Sequence, residues 1–464
     1  MSQVAAFFDF DGTVIDGYSA VALLKDRLLH GEIGLTEALR LSSAALEALA
    51  GQGQVEDFMT VGVAAFAGRD MSDLAQMGEK LARSTLGGSL FPTAVERITW
   101  HQNQGHLVVI ASSALPFQVE PLARELGIEQ VLCTQLGEND GVCTGEVAGE
   151  MLWGKTKALA VQDFSALHGI ALDASYGYAN GDEDIDFLSL VGHPCAVNPG
   201  DELAAHARDE GWPVASFTRS HGSVLDTPRT VAAYTGLAVS CAIGAGLGVL
   251  NRSRRVAANT SLSVGSEVAL SLACVSLNVA GEHHLWEQRP AVFVFNHQSL
   301  LDPLLVFKLV QRDITSVGKK EVQTQPLVGQ FAWLINAALV DRADVTKARQ
   351  ALQPAVDKLA EGYSICIAPE GTRSVTSRVG PFKKGPFHLA IQGGVPIVPI
   401  ILRNAGELQW RGSRTIRSGT VDALVLPPIS VADWDASDLT SKVAGVRQQY
   451  VDVLDDWAAA VARA

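Results

Sequence analysis

Short apolar runs, each followed by polar residues, recur along this chain. Five of them have the length and composition of buried strands, and they cover residues 4–8, 106–111, 174–179, 291–295 and 364–368. The segments between them include apolar residues at helical spacing, such as Leu24 and Leu28. Strands that alternate with helices are typical of α/β domains. We therefore predict an α/β fold for both halves of the chain.

The segment between the two halves is the most apolar stretch of the chain. It runs from Thr230 to Leu250 without a charged residue, which is long enough to span a bilayer. Gly244 and Gly248 would let another helix approach closely. The next stretch, 256–280, mixes apolar residues with serines and predicts an amphipathic segment. Two interpretations stay open: a helical hairpin that dips into one leaflet, or two helices buried between the domains.

Composition narrows the possible classes of protein. The net charge of −14 argues against nonspecific nucleic-acid binding. The six cysteines have no metal-ligand spacing, which favours a reduced, cytosolic setting over a disulfide framework. Residues 1–4 lead directly into the first strand, so we expect no signal peptide. A length of 464 residues predicts two or three domains.

The first three apolar runs are each associated with residues that suit phosphate chemistry. In chain order the motifs are Asp9-Phe10-Asp11-Gly12-Thr13, Ser112, Gly154-Lys155-Thr156-Lys157 and Asn180-Gly181-Asp182-Glu183-Asp184. Together they resemble the motifs of the haloacid dehalogenase phosphatase superfamily. The helical periodicity over about 17–92 resembles the helical cap of its phosphoserine-phosphatase-like branch. The resemblance implies a Rossmann-like domain and a phosphatase.

The same resemblance assigns a role to each motif. Asp9 would be the nucleophile that forms an aspartyl-phosphate. Asp11 would protonate the leaving oxygen and later activate water. Ser112 would bond the phosphoryl oxygens, and Lys157 would neutralise the charge of phosphate and nucleophile.

Magnesium is the cofactor that this resemblance implies, with Asp9, Asp11, Asn180 and Asp184 as its site. Asn180 stands where the family most often has an acid, but an amide oxygen can still bind a hard cation. The pair Asp182 and Asp186 has the same spacing and stays open as an alternative frame. We rank it second, because Asn180 directly follows the strand.

The fourth run carries a different chemistry. It is followed by Asn296-His297-Gln298-Ser299-Leu300-Leu301-Asp302, and Asp302-Pro303 has the composition of a helix start. His297 and Asp302 are five positions apart across this turn. The carboxylate can therefore bond one imidazole nitrogen and leave the other free. A histidine oriented in this way is a general base for a hydroxyl nucleophile.

Further blocks follow this heptad in the sequence. They are residues 336–342 (Asn-Ala-Ala-Leu-Val-Asp-Arg), 369–374 (Pro-Glu-Gly-Thr-Arg-Ser), 382–385 (Phe-Lys-Lys-Gly) and 395–400 (Val-Pro-Ile-Val-Pro-Ile). With the heptad, these blocks resemble the glycerolipid acyltransferase family over roughly 285–430. That family includes the 1-acylglycerol-3-phosphate acyltransferases. The block at residues 336–342 is the looser match, because glycine is common in the family where Asn336 stands.

The family's substrates suggest roles for the basic residues. Guanidinium groups bind phosphate with two parallel donors, so Arg342 is our first choice for the acceptor's phosphate, with Arg373 and Lys319 as helpers. The resemblance implies that Glu370 and Gly371 also hold the glycerol phosphate. Thr372, in the same block, completes the predicted substrate-binding set.

We predict three parts: a phosphatase domain at 1–215, a linker with membrane-associated helices at 216–284, and an acyltransferase domain at 285–464. The expected reaction moves an acyl group from acyl-CoA or acyl carrier protein to lysophosphatidate, in phospholipid biosynthesis. Alternatives are glycerol 3-phosphate as the acceptor, a first domain that is a non-catalytic scaffold, or one that hydrolyses an unrelated soluble ester. Both sites would use cytosolic reagents, so we expect a hairpin at the cytoplasmic face of the membrane.

Overall fold

The computed structural model describes residues 3–29, 31, 62–219, 222–319, 334–335, 337–340, 352–374, 376–435 and 437–464. The chain forms two compact units, Met1–Arg219 and Ser220–Ala464. Each has its own sheet, which confirms the predicted α/β class for both halves. The predicted boundaries at 215 and 285 stay predictions.

A parallel sheet of six strands forms the centre of the first unit, in the order β3-β2-β1-β6-β7-β8. Its strands are β1 (Ala5–Phe8), β2 (Leu107–Ser112), β3 (Gln130–Cys133), β6 (Tyr176–Ala179), β7 (His193–Val197) and β8 (Val214–Ala215). All four residues of β1 are fully buried, as expected of a central parallel strand with both faces covered. The first three of the five apolar runs that were predicted to be strands, residues 4–8, 106–111 and 174–179, correspond to β1, β2 and β6.

Helices and a small hairpin complete the first unit. The helices are α1 (Ser19–Leu29), α2 (Met71–Ser84), α3 (Pro92–Asn103), α4 (Pro116–Glu125), α5 (Lys155–His168), α6 (Ile185–Leu188) and α7 (Asp201–Asp209). Short 3₁₀ turns lie at Leu86–Ser89, Leu172–Ala174 and Asp182–Asp184. Within the predicted cap, α1 and α2 are described, whereas residues 32–61 lie outside the described part. The antiparallel hairpin of β4 (Leu136–Asn139) and β5 (Val142–Val147) bonds to the start of α2, where Met71 N donates to the carbonyl of Gly141 at 2.9 Å.

The second unit has a mixed sheet of seven strands in the order β12-β11-β13-β10-β14-β15-β9. They are β9 (Val275–Ala280), β10 (Val292–Phe295), β11 (Ile314–Lys319), β12 (Ala338–Val340), β13 (Ser364–Ile367), β14 (Ile397–Leu402) and β15 (Gly419–Val425). Only the β14–β15 pair is antiparallel among these described strands. β10 and β13 correspond to the last two predicted runs, and both are almost fully buried.

Nine helices are described in this unit: α8 (Asp226–Leu250), α9 (Arg254–Leu272), α10 (His284–Glu287), α11 (Asp302–Val310), α12 (Gln353–Ala360), α13 (Gly385–Gly393), α14 (Ala405–Leu408), α15 (Leu439–Asp455) and α16 (Trp457–Arg463). α15 packs its apolar face on the sheet, and its buried Tyr450 donates a hydrogen bond to the carbonyl of Val294 at 2.6 Å. This contact holds the strand that leads to His297.

The apolar helices α8 and α9 pack against each other as a hairpin. A side chain at Gly244 would collide with Ser261, and one at Gly248 with Ala257, which confirms the predicted close approach. The segment 256–280 differs from its prediction, because the helix ends at Leu272 and β9 follows. Its alternating Val275, Leu277 and Val279 suit a strand, and β9 pairs in parallel with β15.

Candidate active sites

The first site lies at the carboxyl ends of β1, β2 and β6, which are neighbours in the sheet. Asp9 directly follows β1, and Lys157 reaches it from the first turn of α5. The Nζ atom of Lys157 lies 2.8 Å from Oδ1 of Asp9 and 2.6 Å from Oδ1 of Asp184. All three side chains are buried, and a buried charge needs such partners. Burial lowers the pKa of Lys157, but the two carboxylates outweigh it and raise that pKa.

The second aspartate of the motif is held by the start of α1. Oδ1 of Asp11 accepts a hydrogen bond from the backbone N–H of Ser19 at 2.8 Å, and Oδ2 accepts one from its hydroxyl at 3.0 Å. Desolvation raises the pKa of the Asp11 carboxyl to about 7, against the lowering effect of the Ser19 N–H. A carboxyl that retains its proton near neutral pH is suited to protonate a leaving oxygen.

Asn180 closes the site beside β1. In the orientation that satisfies its hydrogen bonds, its amide nitrogen donates to Oδ2 of Asp9 at 3.3 Å, to the backbone carbonyl oxygen of Asp11 at 2.9 Å and to Oγ1 of Thr13 at 3.0 Å. A side chain at Gly12 would collide with this amide, and Gly12 also has a φ of +79°. Ligand oxygens about 2.1 Å from Mg²⁺ in octahedral geometry lie about 3 Å from one another. The amide lies at about this distance from Asp9 and from the Asp11 carbonyl, so these groups would suit a hard cation once the amide turns its oxygen toward them.

The fourth motif places its acids in different surroundings. Oδ2 of Asp184 is buried and has no hydrogen-bond partner among the described residues, so it is available to the site. Asp182 instead accepts a hydrogen bond from Leu203 N at 2.7 Å and holds the start of α7. Asp186 is exposed. The geometry favours the frame of Asn180 and Asp184. Ser112 ends β2, where its hydroxyl accepts a bond from Ala114 N at 3.1 Å.

The second site lies between the end of β10 and the start of α11. Oδ2 of Asp302 accepts hydrogen bonds from Nδ1 of His297 at 2.8 Å, from Gln298 N at 2.7 Å and from Ser299 N at 2.8 Å. Burial raises the pKa of Asp302, and His297 and the two N–H groups oppose it. Because an ionised carboxylate only accepts, the proton of a neutral His297 resides on Nδ1. Nε2 is left with a lone pair, and the ring is partly exposed.

Other strands brace the loop that carries His297. The buried Glu370 accepts a hydrogen bond from His297 N at 2.7 Å and one from Gly380 N at 2.9 Å. The carbonyl of His297 accepts from Ser374 N at 2.7 Å. Asn296 forms two bonds of 2.8 Å with the backbone of Leu402 on β14. The histidine is therefore held by its backbone as well as by its ring.

The predicted substrate-binding residues of this site divide into three groups. Glu370 is occupied by backbone donors, so its predicted contact with the acceptor stays a prediction. Gly371, Thr372 and Arg373 form the turn after β13, where Gly371 has a φ of +71° and Thr372 is exposed. Lys319 ends β11, but its side chain lies outside the described part of the chain, as do Asn336 and Arg342.

Comparison with known proteins identifies the first unit. Residues 6–189 match the haloacid dehalogenase-like hydrolase family. A probable phosphatase of Mycobacterium tuberculosis is 31% identical over 243 residues, which are 51% of this chain and 84% of that protein. The chain belongs to the haloacid dehalogenase-like hydrolases. Its first unit is accordingly a haloacid dehalogenase-like phosphatase domain.

Residues 276–403 match the acyltransferase family. A 1-acyl-sn-glycerol-3-phosphate acyltransferase of Limnanthes douglasii is 35% identical over 179 residues, which are 38% of this chain. The chain spans 63% of the length of that relative. The crystal structure of the 1-acyl-sn-glycerophosphate acyltransferase from Thermotoga maritima is 25% identical and covers 50% of this chain and 97% of its own, with a TM-score of 0.43. An acyltransferase domain is thus fused behind the phosphatase domain.

Three residues near the sites were not expected from the sequence. In the phosphatase domain, desolvation and the charges of Glu183, Asp11 and Asp9 raise the pKa of the half-exposed Tyr18. Glu183 lies inside the fourth motif, which was a usable signal. In the acyltransferase domain, Arg411 bonds reciprocally with Arg373, and no motif marks its position.

Proposed function

We propose that the acyltransferase domain moves an acyl group from acyl-CoA or acyl carrier protein to the free hydroxyl of 1-acylglycerol-3-phosphate. The observation that carries this proposal is the pair His297 and Asp302, with Nδ1 bound to the carboxylate and Nε2 without a hydrogen-bond partner among the described residues. The names of the acyltransferase relatives support this acceptor. Glycerol 3-phosphate, which lacks the first acyl chain, is the alternative acceptor.

The residues of this site account for each proton. Nε2 of His297 takes the proton of the acceptor hydroxyl while that oxygen attacks the thioester carbonyl. Asp302 stabilises the imidazolium that forms and keeps the ring in place. When the carbon–sulfur bond breaks, the imidazolium returns the proton to the leaving thiolate. The products are a new ester and a free thiol.

For the phosphatase domain we propose hydrolysis of a phosphate monoester. A carboxylate oxygen of Asp9 attacks phosphorus while Asp11 donates its proton to the leaving oxygen. Lys157 offsets the charge of the nucleophile, and Ser112 lies at the adjacent strand end to bind a phosphoryl oxygen. Asp11 then takes a proton from the water that hydrolyses the aspartyl-phosphate. Asp9, the carbonyl of Asp11 and Asn180 would hold Mg²⁺, whose charge would stabilise the phosphoryl oxygens, with Asp184 beside them.

The helical hairpin supports a place at the membrane surface. α8 is the one helix in the described part of the chain with the length and apolar composition to cross a bilayer. Its outer face exposes apolar side chains along its whole length: Val231, Tyr234, Val239, Ile243, Leu247, Val249 and Leu250. α9 packs against both α8 and α11. We propose that this outer face lies in one leaflet at the cytoplasmic side.

One experiment tests both activities. Purified protein is incubated with acyl-CoA and lysophosphatidate or glycerol 3-phosphate, with and without Mg²⁺, and the products are followed by mass spectrometry. We expect an acylated phosphate product, and His297→Ala should abolish it. Release of phosphate should require Mg²⁺ and should disappear in Asp9→Asn, with acyl transfer preserved. No phosphate release from a broad panel of esters would favour a scaffold role for the first domain.

A further inference from the structure

Two arginines from separate loops are tied together beside the His297 loop. Nη1 of Arg373 donates to the backbone carbonyl of Arg411 at 3.0 Å, and Nη1 of Arg411 donates to the carbonyl of Arg373 at 2.9 Å. A guanidinium has five N–H donors, so each retains most of them. The reciprocal bonds fix both side chains before any ligand arrives.

The charge of this pair is not balanced locally. Neither guanidinium forms an ion pair with a carboxylate in the part of the chain that the structure describes. Burial and the neighbouring charge of Arg411 lower the pKa of Arg373, while Asp302 opposes them. Holding two like charges together costs free energy, and a bound anion would offset that cost.

Both loops also contact the loop that carries the proposed base. On one side Ser374, which follows Arg373, donates its N–H to the carbonyl of His297 at 2.7 Å. On the other side the hydroxyl of Ser299 donates to the carbonyl of Gln409 at 2.6 Å, two residues before Arg411. An anion held by the pair would therefore lie close to the group that receives the hydroxyl proton.

We propose that Arg411 and Arg373 together bind the phosphate monoester of the acyl acceptor, so that Arg411 is a further substrate-binding residue outside the motif blocks of the sequence. The inference rests on the proposed acyl transfer. In a glycerol phosphate the phosphate is only a few bonds from the reacting hydroxyl. The phosphates of acyl-CoA are separated from the thioester by the whole pantetheine arm. An anion site beside His297 therefore suits the acceptor and not the donor.

The test compares acceptors that differ only in the phosphate. Arg411→Gln should lower kcat/KM for lysophosphatidate by about 10- to 100-fold, the usual cost of losing a charged hydrogen bond. The same variant should change kcat/KM for monoacylglycerol less than about threefold. Arg411→Lys should recover part of the loss. Arg414→Gln, which removes an exposed arginine from the same loop, is the matched control and should resemble the wild type.

Three outcomes would overturn the assignment. An equal loss with both acceptors would mean that Arg411 only supports the loop, and a rise confined to the KM of the acyl donor would place the donor there. The third comes from calorimetry with glycerol 3-phosphate and the catalytically inactive His297→Ala protein. Addition of Arg411→Gln should weaken that binding by at least about tenfold, and unchanged binding would refute the site. This titration needs no turnover, so its result is separate from any failure of the proposed acyl transfer.

Discussion

Nδ1 of His297 lies 2.8 Å from Oδ2 of Asp302, and the same oxygen accepts two backbone N–H groups of the connecting loop. One atom thus fixes the orientation of the ring and the shape of the loop that carries it. Because Asp302 is fully buried at the start of α11, the ring is anchored to a buried helix start. A substitution of Asp302 should therefore affect acyl transfer differently from a substitution that removes the imidazole of His297.

Asp302→Asn should lower kcat for acyl transfer by about 10²–10⁴-fold. An asparagine oxygen in the position of Oδ2 can still accept all three donors, but a neutral amide no longer stabilises the imidazolium that forms on His297. Steady-state kinetics measure the effect, with phosphatase turnover of the same sample as the internal control. A kcat within threefold of wild type would show that the charge of the carboxylate is not needed for acyl transfer.

Glu370→Gln should lower kcat for acyl transfer by roughly tenfold, with a smaller change in the acceptor's KM. A carboxylate accepts both His297 N–H and Gly380 N–H, whereas an amide presents one oxygen and one nitrogen, so one of the two bonds is lost. Kinetics with the acceptor varied separate kcat from KM. A raised KM with kcat preserved would instead support the contact with the acceptor that the family resemblance implies.

Asn180→Asp should tighten Mg²⁺ binding by roughly tenfold or more, because a charged oxygen replaces a neutral one at a hard cation. Titration calorimetry of the purified protein with Mg²⁺ measures the affinity. Asp182→Asn, which alters the bond to Leu203 N, should leave it unchanged. If Asp182→Asn weakens Mg²⁺ binding and Asn180→Asp has no effect, the alternative frame of the fourth motif is correct.

The double variant Val239→Glu, Ile243→Glu places two glutamates on the outer face of α8. It should release the protein from anionic lipid vesicles. Both side chains are more than half exposed, at 54% and 57%, so the change removes apolar surface without opening the core. Sedimentation with vesicles measures binding. Leu167→Glu, at an 82% exposed site of the phosphatase domain, is the control. Retained binding of the double variant would place the membrane contact elsewhere.

His101 should stay neutral down to about pH 4. Burial, then the neighbouring His106 and Arg97, lower its pKa from 6.5 to about 4, and its ring nitrogens lie 2.9 Å from Nδ1 of His106 and 3.0 Å from the Tyr178 hydroxyl. The unfolded chain takes up this proton first, so the contribution of His101 to stability is lost as pH falls from about 6.5 to about 4. NMR titration of labelled histidines measures the pKa, and a midpoint near 6.5 would contradict the prediction.

The sequence was most informative where chemistry follows a strand. Asp9 and His297 could be located because apolar runs of strand length end immediately before them, and the carboxyl ends of neighbouring parallel strands meet at one edge of a sheet. The dyad of His297 and Asp302 needed only local spacing. For these residues the local pattern and the tertiary structure agree.

Residues that depend on distant partners could not be predicted in this way. Glu370 accepts its bond from a backbone N–H 73 positions away, and backbone donors leave no mark in a sequence. Arg411 reaches Arg373 across 38 positions from a loop without periodicity. The strand β9 lies inside the segment predicted as amphipathic, because six residues are too few to separate a strand from a helix until the partner β15 is known.

The connection between the apolar hairpin and the catalytic sheet is short. Only residues 273 and 274 separate α9 from β9, and α9 also packs on α11, where Lys308 pairs with Glu267 at 2.9 Å. α11 begins at Asp302. If the outer face of α8 lies in a leaflet as proposed, a displacement of the hairpin would reach the carboxylate that orients the proposed base through a single packed helix.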